Sequence, residues 1–146
     1  MKKLCMILMF VMIIMSSCSS SQLKKPPNVY FVYNEKEHVT IRGTSSWSYG
    51  TTAIESDSPS SLDLVSYQEE SLIVNQSDEI KIKFDVAPNN YRVYKWNDDL
   101  KEKEEETIDN NRITISSDQE SAIYEVHAFW NQGNAYYAIE VSIEEK

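Results

Sequence analysis

The residue types that most often carry enzyme chemistry are scarce in this 146-residue chain, which has two cysteines and two histidines. The histidines, His38 and His127, lack the H-E-x-x-H spacing that holds a catalytic zinc ion. Serines are abundant, yet none lies in a G-x-S-x-G turn, which exposes a nucleophile. With only three glycines in the chain, no glycine-rich phosphate loop is present. The sequence therefore predicts a protein without catalytic activity, a bound metal ion or a cofactor.

The second cysteine, Cys18, lies in a context that predicts a different chemistry. Lys2 and Lys3 precede an uncharged apolar run, residues 4–15, and two serines then lead to Cys18. This order is typical of a secretory signal peptide. A helix of this length spans about 18 Å, well short of the ~30 Å hydrocarbon core of a bilayer. A permanent transmembrane helix is therefore not expected here.

The run Met15-Ser16-Ser17-Cys18 resembles the lipobox of bacterial lipoprotein precursors. That resemblance implies a diacylglyceryl group on the Cys18 thiol and cleavage just before this residue. Two acyl chains hold a protein firmly at a membrane, whereas one chain binds only marginally. Met15 and Ser17 depart mildly from the commonest lipobox residues, and a plain signal peptide with an incidental cysteine is the alternative. The lipobox predicts a signal peptide at residues 1–17 and a lipid anchor on the extracytoplasmic side of the cell membrane.

The segment after the cysteine is predicted to be a short tether, residues 18–28, followed by one domain, residues 29–146. Pro26 and Pro27 favour an extended, stiff backbone. Removal of Lys2 and Lys3 with the signal peptide would change the formal charge from −9 to −11. This balance argues against nucleic acid and against an anionic membrane surface as the primary partner. The mature chain would contain no second cysteine for a disulfide, so packing and hydrogen bonds must stabilise the domain.

From Val29 onward, short β-type segments are separated by turn signals. Residues 79–86 show the clearest alternation, with Ile80, Ile82, Phe84 and Val86 on one face. The predicted strands are 29–33, 38–42, 71–75, 79–86, 91–96, 112–116, 121–130 and 135–143. The last two are joined by residues 131–134, where a glycine suits a positive φ, so they should form an antiparallel hairpin. No window shows a persuasive amphipathic helix, and the pattern predicts an all-β antiparallel sandwich or barrel.

Residues 120–126, ESAIYEV, resemble the D-S-A-x-Y-x-C run of immunoglobulin-like domains, in which the tyrosine forms a tyrosine corner. The resemblance implies an immunoglobulin-like sandwich in which Ala122, Tyr124 and Val126 face the core. Trp96 would then supply the core aromatic residue of another strand.

Residues 43–47, 82–88 and 124–141 are also similar to small exported proteins of Gram-positive bacteria. That resemblance implies an uncharacterised β domain rather than an activity.

The first candidate binding region is residues 43–61, interpreted as a long irregular connection. It contains Trp47 and Tyr49 among hydroxyl residues, and long loops in compact domains often carry function. Such aromatic faces can stack on a sugar ring or fill a partner's pocket. The alternative is that Trp47 closes one end of the sandwich. Arg42, at the start of this region, is expected to pair with an acid such as Glu55.

The second candidate is the outward face of the final hairpin. If Tyr124 points inward, then Ile123, Glu125, His127 and Phe129 point outward, beside Tyr136 or Ala138 of the partner strand. Two exposed aromatic residues, an isoleucine and a histidine form more apolar surface than a solvated sheet needs, which predicts an interaction surface. The alternative is that a crossover loop covers this face.

The acidic stretch, residues 97–111, offers oxygen ligands for calcium but lacks the D-x-D-x-D-G pattern of an EF-hand. Within it, KEKEEE (101–106) is interpreted as an exposed edge strand or loop, whose charge discourages aggregation between strands.

Together these features predict a membrane-anchored lipoprotein whose domain binds an unknown surface protein. The alternative is a lipoprotein that binds carbohydrate in the cell wall. The predicted site residues are Cys18 for lipidation and Trp47, Tyr49, His127, Phe129 and Tyr136 for binding.

Overall fold

The structure is a computed structural model that describes residues 22–97, 99–116 and 119–145. The predicted signal peptide and Cys18 lie outside the described residues. None of the helices in the described part of the chain has the length and apolar character needed to cross a membrane.

The described residues form eleven β-strands and one short helical segment. The strands are β1 (Val29–Tyr33), β2 (Lys36–Val39), β3 (Ile41–Tyr49), β4 (Thr52–Ser56), β5 (Leu72–Asn75), β6 (Glu79–Phe84), β7 (Asn90–Trp96), β8 (Lys103–Glu105), β9 (Arg112–Thr114), β10 (Ser121–Trp130) and β11 (Gly133–Glu144). Between β4 and β5, helix α1 (Ser61–Leu64) continues into a 3-10 turn (Val65–Tyr67). Ser60 caps α1, its side chain accepting a hydrogen bond from the Asp63 amide.

The strands form two sheets that pack as a sandwich. The smaller sheet has the order β2-β1-β6-β9, and the larger has the order β4-β3-β11-β10-β7-β8. All neighbouring strands are antiparallel except β5, which pairs in parallel with residues 141–144 of β11, beyond the part of that strand that pairs with β3. The predicted all-β sandwich is confirmed.

The core lies between the sheets and follows the period-two pattern of the strands. Phe31, Ile80 and Ile82 from the smaller sheet pack against Tyr124 and Val126 from the larger one, and all five are 1% exposed or less. The expectation that Ala122, Tyr124 and Val126 face the core is confirmed. The alternation of β6 ends at Phe84, because Val86 lies beyond the strand and is 44% exposed.

Two turns show how local sequence fixes the register. Asn34 and Glu35 both have positive φ angles, 47° and 65°, which places a two-residue turn between β1 and β2. In the β10–β11 hairpin, Gly133 has φ of 149°, and a Cβ there would lie 2.0 Å from the Ser46 carbonyl oxygen. Glycine is therefore required where β3 passes the end of the hairpin, and the predicted hairpin is confirmed.

The region 43–61 is more regular than predicted. Instead of one irregular connection, β3 continues to Tyr49 and forms a hairpin with β4 through Gly50 and Thr51. The predicted strand at 38–42 is divided at Thr40, whose amide and hydroxyl both donate to the Val29 carbonyl, at 3.0 and 2.9 Å. The chain thus leaves the smaller sheet and enters the larger one. This change of sheet makes β2 and β3 separate strands.

Two details expected from the immunoglobulin resemblance are not found. Trp96 packs on the outer face of the larger sheet with Ile123, rather than in the core. The Tyr124 ring is buried against Phe31, but its hydroxyl makes no hydrogen bond to any described residue. The tyrosine corner is therefore not formed, and burial raises the pKa of the Tyr124 hydroxyl well above its usual range.

Candidate functional site

The predicted binding residues lie on opposite faces of the larger sheet. His127, Phe129 and Tyr136 share its outer face, as expected from the alternation of β10 and β11. Trp47 lies on the inner face, and Tyr49 ends β3 as a partly buried residue. The structure therefore brings together three of the five and leaves the β3 pair apart from them.

Trp47 is 3% exposed and closes one end of the sandwich. Its ring meets the edge of Trp130 at a centroid distance of 5.6 Å, and its Nε1 donates to the Leu23 carbonyl at 2.8 Å. In this conformation a sugar ring cannot stack on Trp47. Arg42 also differs from expectation, because its guanidinium donates to the Pro26 carbonyl at 3.0 Å instead of pairing with Glu55.

An aromatic row crosses three strands of the outer face and consists of Tyr94, His127 and Tyr136. His127 and Tyr136 lie directly opposite each other in the register, and their rings stack at 3.9 Å with an interplanar angle of 16°. Tyr94 on β7 contacts His127 at 4.7 Å, with its ring tilted by 52°. Both partners therefore limit rotation of the His127 ring. The row presents a fixed arrangement of side chains.

Beneath this row lies a buried carboxylate with several donors, here named the Glu125 cluster: Glu125, Lys103, Ser61, Trp96 and His127. The Lys103 ammonium is 2.6 Å from Oε1 of Glu125, and the Ser61 hydroxyl donates to Oε2 at 2.5 Å. The Trp96 Nε1 donates to the same Oε2 at 3.3 Å. His127 Nε2 also contacts Oε1. The 4% exposed Glu125 is thus compensated by groups from α1, β7, β8 and β10.

Electrostatics keep this carboxylate ionised. Burial acts to raise the pKa of Glu125, but hydrogen bonds from His127, Lys103 and Ser61 outweigh it and lower the pKa to about 2. A carboxylate with such a low pKa is a poor proton acceptor at neutral pH. The Lys103 ammonium also lies over the Tyr94 and Trp96 rings, 5.0 and 5.6 Å from their centroids.

The contacts of the cluster favour a structural role over a nucleophilic one. A serine nucleophile requires its hydroxyl to donate to a histidine, which acts as the base. Here the Ser61 hydroxyl donates to Glu125, and the Nε2 of His127 contacts the same carboxylate. The cluster therefore ties α1, β8 and the aromatic row to one another.

Helix α1 and the 3-10 turn cover one part of the outer face. Leu64 and Val65 bury Ile123 and Ala138, with Ile41, Leu62 and Trp96 at the margin. A crossover segment thus covers Ile123 and Glu125, one of the two alternatives predicted for this face.

The remaining part of the outer face stays accessible, and we name it the open face: Phe129, Tyr136, Arg92, Asn90 and Ser46. Phe129 lies at the centre of the open face and is 37% exposed. Asn90 lies directly opposite Phe129 on β7. Arg92 pairs loosely with Glu105 at 3.8 Å. Exposed aromatic and guanidinium groups on a rigid sheet are typical of protein-binding surfaces.

The acidic stretch forms an edge of the larger sheet. Residues 103–105 are strand β8, which pairs with β7, so the expected edge strand is confirmed. Among the described residues, no group of three or more His, Cys, Asp or Glu side chains is placed to hold a metal ion. Asp98, one of the acidic residues of the 97–111 stretch, lies outside the described residues.

The Glu125 cluster was not anticipated from sequence. Lys103 and Ser61 lie 22 and 64 positions from Glu125 and belong to a charged run and a serine-rich segment. An acidic residue within an otherwise apolar strand, IYEVHAF, was the available signal, because a buried charge requires partners.

Comparisons of the chain with protein-family profiles, with curated proteins and with solved structures give no significant match.

Proposed function

We propose that this protein is a membrane-anchored lipoprotein whose β-sandwich is a non-catalytic binding module for another protein, on the extracytoplasmic side of the membrane. The anchor is the diacylglyceryl group implied at Cys18. The binding surface is the open face, with Phe129 at its centre. An immunoglobulin-like topology remains part of the proposal, supported by the core-facing run Ala122, Tyr124 and Val126.

The observation that carries the binding proposal is an exposed aromatic side chain, Phe129, beside a pair of stacked rings that is fixed in place. Phe129 is 37% exposed, while the neighbouring His127 ring is fixed by stacking on Tyr136 and by contact with the buried Glu125. Pre-ordered side chains lose less entropy on binding, so a surface of this kind gains affinity from few contacts. Aromatic and arginine side chains are also enriched among residues that dominate binding energy.

The glycan-binding alternative has less support. Trp47 is buried, and one face of the Tyr136 ring is covered by its stacking on His127. Glycan recognition by stacking requires free ring faces. Titration with cell-wall polysaccharide should therefore leave tryptophan fluorescence unchanged, and saturable quenching would favour the glycan function instead.

The anchor is tested by fractionation of cells that express the full chain or its Cys18→Ala variant. The wild type should remain with the membrane and should carry a diacylglyceryl-modified Cys18 in its intact mass. The Cys18→Ala variant should be released. An unmodified or soluble wild-type chain would refute the anchor.

The binding function is tested by isolating cross-linked partners from intact cells. Phe129→Ser should abolish recovery of a defined partner, because it removes the exposed ring at the centre of the open face. Val39→Ser is a matched control, since Val39 is a 57% exposed apolar residue on the smaller sheet. Equal partner recovery with both variants would contradict binding through the open face.

A further inference from the structure

The segment that precedes β1 is attached to the domain rather than free, and we name it the docked segment, residues 22–28. The Gln22 side chain accepts from the Gly50 amide at 2.6 Å, and the Leu23 carbonyl accepts from Trp47 and Gln132. Further along, Pro26 and Pro27 are buried. Their carbonyls accept from Arg42 and, at 2.5 Å, from the Tyr137 hydroxyl.

The docked segment begins at one end of the sandwich, here named the hairpin end, which includes the turns at residues 50–51 and 131–132. Gln22 is held at the first turn and Leu23 at the second. Only residues 19–21 separate Gln22 from Cys18, so the two are at most about 14 Å apart. A lipid on Cys18 would therefore keep the hairpin end close to the membrane surface.

Charge distinguishes the two ends of the sandwich. Lys24 and Lys25 are both exposed, and they line a groove of about 310 Å³ with the apolar Leu23 and Val86. The acidic residue that lines the same groove is Asp85. The docked segment thus offers two cations and exposed apolar surface at the end where the lipid would attach.

The opposite end, here named the acidic end, carries glutamates. Glu35 lies in the β1–β2 turn, Glu120 precedes β10 and Glu144 ends β11. Glu120 and Glu144 lie together, because the Ile143 amide donates to the Glu120 carbonyl at 2.7 Å. Strand β11 has twelve residues and spans about 40 Å between the ends.

We propose that the domain adopts one orientation at the membrane, a proposal that rests on the proposed lipid anchor. The hairpin end faces the bilayer, and Lys24 and Lys25 contact anionic lipid headgroups. The acidic end points away from the membrane. Overall the chain is acidic, and this orientation places two lysines against the anionic surface while it keeps the glutamates of the acidic end away from that surface. Phe129 lies two residues from the hairpin turn, so the open face would meet a partner close to the membrane.

The test uses the full-length chain, purified with its native lipid and reconstituted in vesicles of phosphatidylcholine and phosphatidylglycerol in equal parts. A genetically encoded benzophenone residue replaces Thr51 at the hairpin end or Glu144 at the acidic end. After irradiation, lipid adducts are measured by intact mass. Adducts at position 51 are expected in large excess over adducts at position 144.

The lysine contacts are tested by the double variant Lys24→Gln and Lys25→Gln. It should lower the ratio of adducts at position 51 to adducts at position 144 by roughly tenfold or more, because each lysine near an anionic surface adds to the orientation energy. The matched control, Lys81→Gln and Lys101→Gln, removes the same charge from exposed positions outside the docked segment and should leave the ratio unchanged.

The outcomes separate the two proposals. Equal adducts at both positions on a lipidated, vesicle-bound chain would overturn the orientation and leave the anchor intact. A chain with unmodified Cys18 that does not bind vesicles would overturn both. An unchanged ratio in the Lys24 and Lys25 variant would overturn the headgroup contacts.

Discussion

The Glu125 cluster makes the stability of the domain depend on pH in a specific window. Glu125 has a folded-state pKa of about 2, below its ordinary value of 4.5, so folding favours the ionised carboxylate. This stabilisation is fully present above about pH 4.5 and is lost as the pH falls toward 2. A difference of one pKa unit between the folded and unfolded states is worth about 1.36 kcal/mol. The lowered pKa of Glu125 therefore corresponds to about 3 kcal/mol of unfolding free energy.

The variant Glu125→Gln isolates this contribution because the amide does not titrate. The free energy of unfolding is measured by urea titration, with intrinsic fluorescence as the signal, at several values from about pH 5 to about pH 2. The difference between wild type and Glu125→Gln should shrink by about 3 kcal/mol across this range, since only the wild type must protonate the buried carboxylate.

Glu104→Gln is the matched control, because Glu104 is exposed on β8 beside Lys103. The free energy of unfolding of Glu104→Gln should change with pH in parallel with that of wild type, to within about 0.5 kcal/mol. Parallel profiles for wild type and Glu125→Gln would refute the conclusion that Glu125 is ionised and paired in the fold.

Two further predictions concern the framework that carries the site. Gly133→Ala should lower the free energy of unfolding by about 3 kcal/mol or more, because its Cβ would lie 2.0 Å from the Ser46 carbonyl oxygen. Gly50→Ala should lower it by only about 1–2 kcal/mol. A Cβ at Gly50 meets no atom within 4 Å, so only the positive φ opposes the substitution. Urea unfolding checks both, and equal losses would contradict the close approach. Ile82→Ala should lower the free energy of unfolding by about 2–5 kcal/mol, because Ile82 is buried in the core. Ile73→Ala, at a 50% exposed position, should lower it by less than about 1 kcal/mol. Similar losses for the two variants would contradict the proposed core.

Much of the architecture could be predicted from the sequence because strand alternation is a local property. Ile80 and Ile82 alternate with lysines, and this pattern alone places them in the core. The β10–β11 hairpin follows in the same way from its two apolar runs and Gly133. Such features depend on residues close in the chain.

The missed features depend on contacts between distant segments. Residues 43–56 contain many serines and threonines, which suit either a loop or a strand, and pairing with β11 determines that β3 continues to Tyr49. The immunoglobulin-like pattern predicts Trp96 in the core, but the Glu125 carboxylate and Ile123 hold it on the outer face.

The candidate site was predicted in part. Alternation placed His127, Phe129 and Tyr136 on one face, because residues two apart in a strand share a side. It did not show that Lys103 and Ser61 reach Glu125 from other elements, since those contacts follow from tertiary packing.

The most direct test of the binding function is photo-cross-linking in living cells with the benzophenone residue at position 129 or at position 81. Phe129 marks the open face, whereas Lys81 is exposed on the smaller sheet on the other side of the sandwich. A discrete protein adduct from position 129, and none from position 81, is the result that a binding module using the open face predicts. Adducts of equal yield from both positions, or none from position 129, would contradict it.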